Sequence, residues 1–200
     1  MEITAAMVKD LRDKTSAGMM DCKKALQETG GDLEKAVDLL RQKGLAKAMK
    51  RSGREASEGM VYAYIHGGGR MGVLVEINCE TDFAAKSDDF VEFTKNIAMH
   101  IAASNPLGVE KSDIPDEVIE RERAIYLAQA KETGKPEKIL GQMVEGKLRK
   151  FYQESVLLEQ AYVKDPDKSI QDYLNELVAK IGEKIIIRRF ARYQLGEQEG

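Results

Sequence analysis

Three consecutive glycines, Gly67-Gly68-Gly69, stand between two stretches of alternating apolar residues. Upstream lies Val61 to Ile65. Downstream, Met71 to Asn78 places Val73, Val75 and Ile77 at period two. Two such runs joined by a glycine turn read as an antiparallel hairpin, with the glycines supplying positive φ without a Cβ penalty. The second run then ends abruptly in Asn78-Cys79-Glu80-Thr81-Asp82-Phe83, and Lys86-Ser87-Asp88-Asp89 offers capping chemistry for a helix beginning near Asp88. Asp82 and Phe83 therefore fall on a short connection between two rigid elements, the kind of segment on which function is often carried. Spacing alone favours the plainer alternative, in which Phe83 folds back into the core and Asp82 caps the helix.

Helical patterning surrounds the hairpin. Ala5 to Lys14 sets Met7, Val8 and Leu11 on one side, Thr15 to Gly18 interrupts, and Met19 to Thr29 resumes with Met19, Cys22 and Leu26 before Gly30-Gly31. Asp32 is a suitable N-cap for a third helix carrying Val37, Leu39 and Leu40. Beyond it Leu45 to Met49 could extend a helix, which the basic run Lys50 to Arg54 is expected to break. Downstream of the hairpin, Phe90, Phe93, Ile97 and Ile101 mark one face of a helix over 88–104, ended by Asn105-Pro106. Pro115 and Pro136 each open a further helix. Asp165-Pro166-Asp167 reads as a turn before a helix from Ile170 to Ile181, Glu183 to Tyr193 as a third strand, and Leu195 to Gly200 as a frayed end. The fold expected is α+β: an N-terminal three-helix bundle over 1–45, a basic linker over 46–58, and a core over 59–200 in which helices cover a small antiparallel sheet.

Composition narrows the function. The 200 residues carry 32 % charged and 42 % hydrophobic side chains with a net charge of −3, as in a soluble globular protein. A nucleic-acid binder would show a basic excess. The basic residues Lys47, Lys50, Arg51 and Arg54 have no aromatic residue interleaved for base stacking, so a solvated tether is the better reading. No apolar run reaches the ~18 residues of a membrane span, and the N-terminus lacks the basic-then-apolar pattern of a secretory signal. Two cysteines, Cys22 and Cys79, make no disulfide framework and suit a reducing, cytoplasmic setting.

Several motifs imitate chemistry. Gly141 to Lys147 has phosphate-loop spacing, but Leu148 replaces the hydroxyl residue that would hold magnesium, and Ile139, Met143 and Leu148 keep helical rhythm across it. His66-Gly67-Gly68-Gly69 looks like an oxyanion-hole motif without a Gly-x-Ser-x-Gly nucleophile. His66 and His100 are not at metal-ligand spacing from either cysteine, so no metal site or cofactor is expected. The absence of a catalytic constellation favours a binding or regulatory protein over an enzyme.

Two long motifs carry a resemblance. Leu11-Arg12-Asp13-Lys14-Thr15-Ser16-Ala17-Gly18-Met19-Met20-Asp21-Cys22-Lys23-Lys24-Ala25-Leu26 resembles the N-terminal signature of the bacterial elongation factor Ts family. Glu76-Ile77-Asn78-Cys79-Glu80-Thr81-Asp82-Phe83-Ala84-Ala85-Lys86 resembles its second signature. The likeness continues through Gly146 to Phe151, Leu158-Glu159-Gln160 and Lys164-Asp165, with Ser16 and Ala84 departing from the frequent glycine and the usual valine. The resemblance implies a guanine-nucleotide exchange factor for the GTPase elongation factor Tu. It implies a bundle similar to ubiquitin-associated domains that docks on the GTPase through residues around Arg12, Met19 and Met20. Thr81, Asp82, Phe83 and Ala84 would form the turn that intrudes near the GTPase-bound magnesium, reversing the reading of Phe83 as core. Longer family members carry two core subdomains, so the single one expected here implies a possible homodimer.

Overall fold

The computed structural model describes residues 3–15, 17–51 and 53–197. Ser16 and Ser52 lie outside them, as do Gln198–Gly200 at the end read as frayed and the side chains of Lys47, Lys50 and Arg51 in the expected tether. The architecture is α+β. Its principal sheet has three strands in the order β1-β2-β5, with β1 Glu58–His66, β2 Met71–Cys79 and β5 Ile185–Gln194. The glycine turn between β1 and β2 forms as the sequence requires, with φ of 60°, 67° and 91° at Gly67, Gly68 and Gly69. At one end of β5 the Lys184 amide donates to Glu80, and at the other the Leu195 amide donates to the Arg70 carbonyl. Strand β5 therefore runs antiparallel to β2. The second of these bonds, with an Arg192–Glu197 ion pair at 3.0 Å, ties down part of the end expected to fray.

The chain forms two compact units, each assembled from separated segments. The first comprises Met1–Val61, Glu76–Thr94 and Asp172–Ile187. It holds α1 (Ala5–Thr15), α2 (Met19–Glu28) and α3 (Leu33–Arg51). Val8, Leu11, Cys22, Ala25, Leu26 and Ala36 are their buried core. Asp32 caps α3 as expected, accepting from the Lys35 amide at 3.1 Å. The helix runs on through Lys50 and Arg51, and the chain turns at Gly53 and Arg54, inside the basic run expected to break it. Both basic residues are good helix formers, and nothing in their backbone opposes propagation. Helix α8 (Ile170–Ile181) meets α3 through an Arg41–Asp172 ion pair at 2.5 Å and where Gly44 faces Ala179.

The second unit comprises Tyr62–Val75, Lys95–Gln171 and Arg188–Gly200. Helices α6 (Asp116–Lys131) and α7 (Glu137–Ser155) form a hairpin around Ala130, Leu140, Val144 and Leu148. Helix α5 (Asp88–Ser104) passes from one unit into the other and buries Phe90, Phe93, Ile97 and Ile101, the face its periodicity predicts. It ends at Asn105, whose φ of 45° is the one positive value among the described non-glycine residues. The segment expected to be a turn before α8 is instead a strand. Here β4 (Asp165–Ser169) pairs antiparallel with β3 (Ala161–Tyr162). Asp165-Pro166-Asp167 has no strand propensity. Burial of Tyr162 and Ile170, and a bond from the Ile170 amide to the Gln160 carbonyl, hold the pair in place.

Candidate functional site

Strand β2 delivers the chain to the second signature segment. Cys79 at its end is buried, and its thiol donates to the Thr81 carbonyl at 3.1 Å. Burial and the neighbouring Glu183 carboxylate push that thiol above its ordinary pKa, so it is not a poised nucleophile. Thr81 is extended (φ −130°, ψ 154°), and its hydroxyl accepts from the Ala84 amide, making it the N-cap of the one-turn helix α4 (Asp82–Ala85). The cap is therefore Thr81, where spacing favoured Asp82, and it opens α4, not α5. In so short a helix Ala84 and Ala85 turn inward and are buried, so Asp82 and Phe83 face out. Phe83 is 84 % exposed, the highest value among the large exposed hydrophobic residues described. The expectation from spacing that it folds into the core does not hold. Asp82 pairs with Lys86 at 2.7 Å across one helical turn, and that bond holds its carboxyl below the usual range.

The turn is fixed from below. Glu183, between α8 and β5, accepts from the Thr81 amide at 3.0 Å and from its hydroxyl at 2.7 Å. Glu80 accepts from the Lys184 amide at 2.6 Å and from the Arg54 guanidinium at 3.1 Å. Lys184 Nζ in turn donates to the Arg54 carbonyl at 2.7 Å. Sequence reading missed Arg54, Glu80, Glu183 and Lys184 as a group, because partners separated by about a hundred residues leave no periodic signal.

On α1 and α2 the residues Arg12, Met19 and Met20 come together on one groove of about 650 Å³, which Ile3, Val8, Asp13 and Lys23 also line. Met19 and Met20 are 58 % and 63 % exposed at the start of α2. The groove shares no lining residue with the Thr81–Ala84 turn.

The motifs set aside from sequence have structural roles. Gly141 and Gly146 lie inside α7, while Lys147 bonds the Gln129 side chain and stands over the Tyr126 ring. Among the described residues no three His, Cys, Asp or Glu side chains converge as metal ligands, and no helix is long and apolar enough to cross a membrane.

These observations define an α+β protein that presents a rigidly held, outward-facing aromatic residue. The family model for elongation factor TS matches residues 3–197. The elongation factor Ts of Syntrophobacter fumaroxidans is 78 % identical over 198 residues, covering 99 % of each chain. That of Desulfosudis oleivorans is 63 % identical over 195 residues, covering 98 % of each, and that of Desulfotalea psychrophila is 63 % identical over 196 residues, covering 98 % of this chain and all of that one. The chain belongs to the elongation factor Ts family of translation elongation factors.

Proposed function

We propose that this chain is a cytoplasmic guanine-nucleotide exchange factor for elongation factor Tu. In this reading the ubiquitin-associated-like helices of residues 1–45 dock on the GTPase through Arg12, Met19 and Met20. Residues 46–58 connect them to a core over 59–200, and the Thr81–Ala84 turn enters beside the GTPase's magnesium. The observation that carries the reading is Phe83, an aromatic side chain held 84 % exposed on a capped, clamped turn. Exchange then proceeds without covalent chemistry or a resident cofactor, and without contact to nucleic acid or membrane. Phe83 inserts as a wedge. Asp82, repelled by the nucleotide phosphates, acts by displacing the GTPase's own magnesium ligands and not by capturing the ion.

A second copy of the chain is the partner best suited to the outer face of the β1–β2 hairpin. Ile65 lies across from Gly72, and Leu74, two residues further on, shares that face; the two side chains are 65 % and 50 % exposed. Light scattering on the purified chain reads its mass directly, and a monomer at all concentrations would remove this part of the proposal.

The principal test is release of a fluorescent GDP from elongation factor Tu by stopped flow. The wild-type chain accelerates it, and Phe83→Ala lowers the rate at saturation at least tenfold. Equal rates for the two chains would refute the wedge.

A further inference from the structure

We propose that Glu183 is a positioning residue for exchange: its carboxylate fixes the rotor of the Thr81 hydroxyl and so sets the direction in which Phe83 is presented. The inference rests on the exchange reading above and adds a residue, between α8 and β5, that neither signature segment contains.

The geometry is reciprocal. The Glu183 carboxylate accepts from the Thr81 amide, while the Glu80 carboxylate accepts from the Lys184 amide, so two neighbouring peptides clasp each other through adjacent acidic residues. The positive φ of Gly182, 87°, turns the chain out of α8 so that Glu183 reaches across. A hydroxyl has one proton to give. The Thr81 proton is committed to Glu183 Oε1 at 2.7 Å, which leaves an oxygen lone pair to face the Ala84 amide at 3.3 Å. Carboxylate, hydroxyl and amide thus form a relay into the first turn of α4, where Phe83 sits. The pair of Lys86 with Asp82 is exposed, one turn apart, and adds little to that hold. Hydrogen bonds to a charged acceptor are about twice as strong as neutral ones.

Glu183→Gln keeps one acceptor, for the Thr81 amide, but sets an NH2 donor against its hydroxyl, whereas Glu183→Ala removes both bonds. In the free chain, Glu183→Ala is expected to speed amide hydrogen exchange over residues 81–86 by at least about tenfold, since each of the two bonds lost to a charged group is worth about that, with protection in α1–α3 unchanged. In the GDP-release assay it is expected to lower the rate at saturating chain by about tenfold while moving the half-saturating concentration less than about twofold, because the docking groove is untouched. Glu183→Gln, which keeps only the bond from the Thr81 amide, is expected to fall between Glu183→Ala and wild type in both. Unchanged protection of residues 81–86 in Glu183→Ala overturns the clamp. Full exchange rate together with lost protection overturns its role in exchange. If the wild-type chain fails to accelerate GDP release, the exchange reading itself falls, and the positioning role falls with it even where the protection data uphold the clamp.

Discussion

A phenylalanine left in water forgoes about 1.5–3 kcal/mol of burial, and Phe83 lies 84 % exposed on a turn whose neighbours Ala84 and Ala85 are buried. The two alanines anchor the segment, so Phe83 adds nothing to the core. Phe83→Ala is accordingly expected to shift unfolding stability by no more than about 0.5 kcal/mol. Phe90→Ala and Phe93→Ala, on the fully buried face of α5, are expected to cost about 3–5 kcal/mol. Urea titrations of the three variants check the contrast. Period-two and period-3.6 patterns could not reveal it, since the four residues of α4 repeat no period. Phe90 stands in the sustained period of α5, whereas no period reaches Phe83, and α4's cap and buried alanines decide which way it faces. His100 is a second case decided by contacts. It is buried, with Nε2 on Gln160 Oε1 at 2.8 Å and Nδ1 accepting from the Val163 amide at 3.4 Å. Both ring nitrogens are occupied in the neutral form, and burial lowers its pKa from 6.5. The folded state then binds fewer protons than the unfolded one as pH falls below about 6.5, so stability declines with falling pH in that window and is level above it. A histidine titration by NMR is expected to place one of the two residues below the ordinary range, with the loss of stability below about pH 6.5 reduced in His100→Gln.

At the level of elements, glycine separates what the backbone requires from what it merely tolerates. Gly141 and Gly146 sit inside α7, exposed, with nothing within 4 Å of an added Cβ. Gly141→Ala and Gly146→Ala are each expected to stabilise the chain by up to about 1 kcal/mol, the helix-propensity difference. Gly59 is the opposite case. Its φ is 142°, and a Cβ there would stand 2.1 Å from the Ile77 carbonyl oxygen. Gly59→Ala is expected to lower the thermal midpoint sharply, or to prevent folding, through strain at the start of the hairpin. Calorimetric unfolding of the three variants measures both signs. The helical rhythm of Ile139, Met143 and Leu148 already pointed away from a phosphate loop, and so α7 was legible. The hairpin and α5 were legible for the same reason, a period sustained over enough residues. Strands β3 and β4 were not: Ala161-Tyr162 is too short to show alternation, and Asp165-Pro166-Asp167 carries turn chemistry that tertiary pairing overrides.

Across the whole molecule, the magnitudes divide the work between surfaces. Burying Phe83 in a partner contributes about 1.5–3 kcal/mol, which at about 1.4 kcal/mol per decade weakens a competing ligand by only one to two decades. In the exchange proposed above, coupling between nucleotide and factor is reciprocal, so affinity from elsewhere on the chain would have to sustain any larger displacement. The groove at Arg12, Met19 and Met20 is suited to that part, because its two methionines expose more than half of their surface beside a fixed positive charge. Among the described residues no carboxylate clamp holds them, and in the proposed complex the flexible thioethers would adapt to the partner's surface. The double variant Met19→Ala, Met20→Ala is therefore expected to weaken binding to nucleotide-free elongation factor Tu by about ten- to a hundredfold, as two partly buried side chains imply. The rate of GDP release at saturating chain is expected to stay near wild type. Phe83→Ala reverses the pattern, with a lowered maximal rate and a smaller change in affinity. Isothermal titration and stopped-flow release, run on the same pair of variants, separate the two contributions. A maximal rate that falls in the methionine variant as far as in Phe83→Ala would mean that the groove and the turn act as one surface.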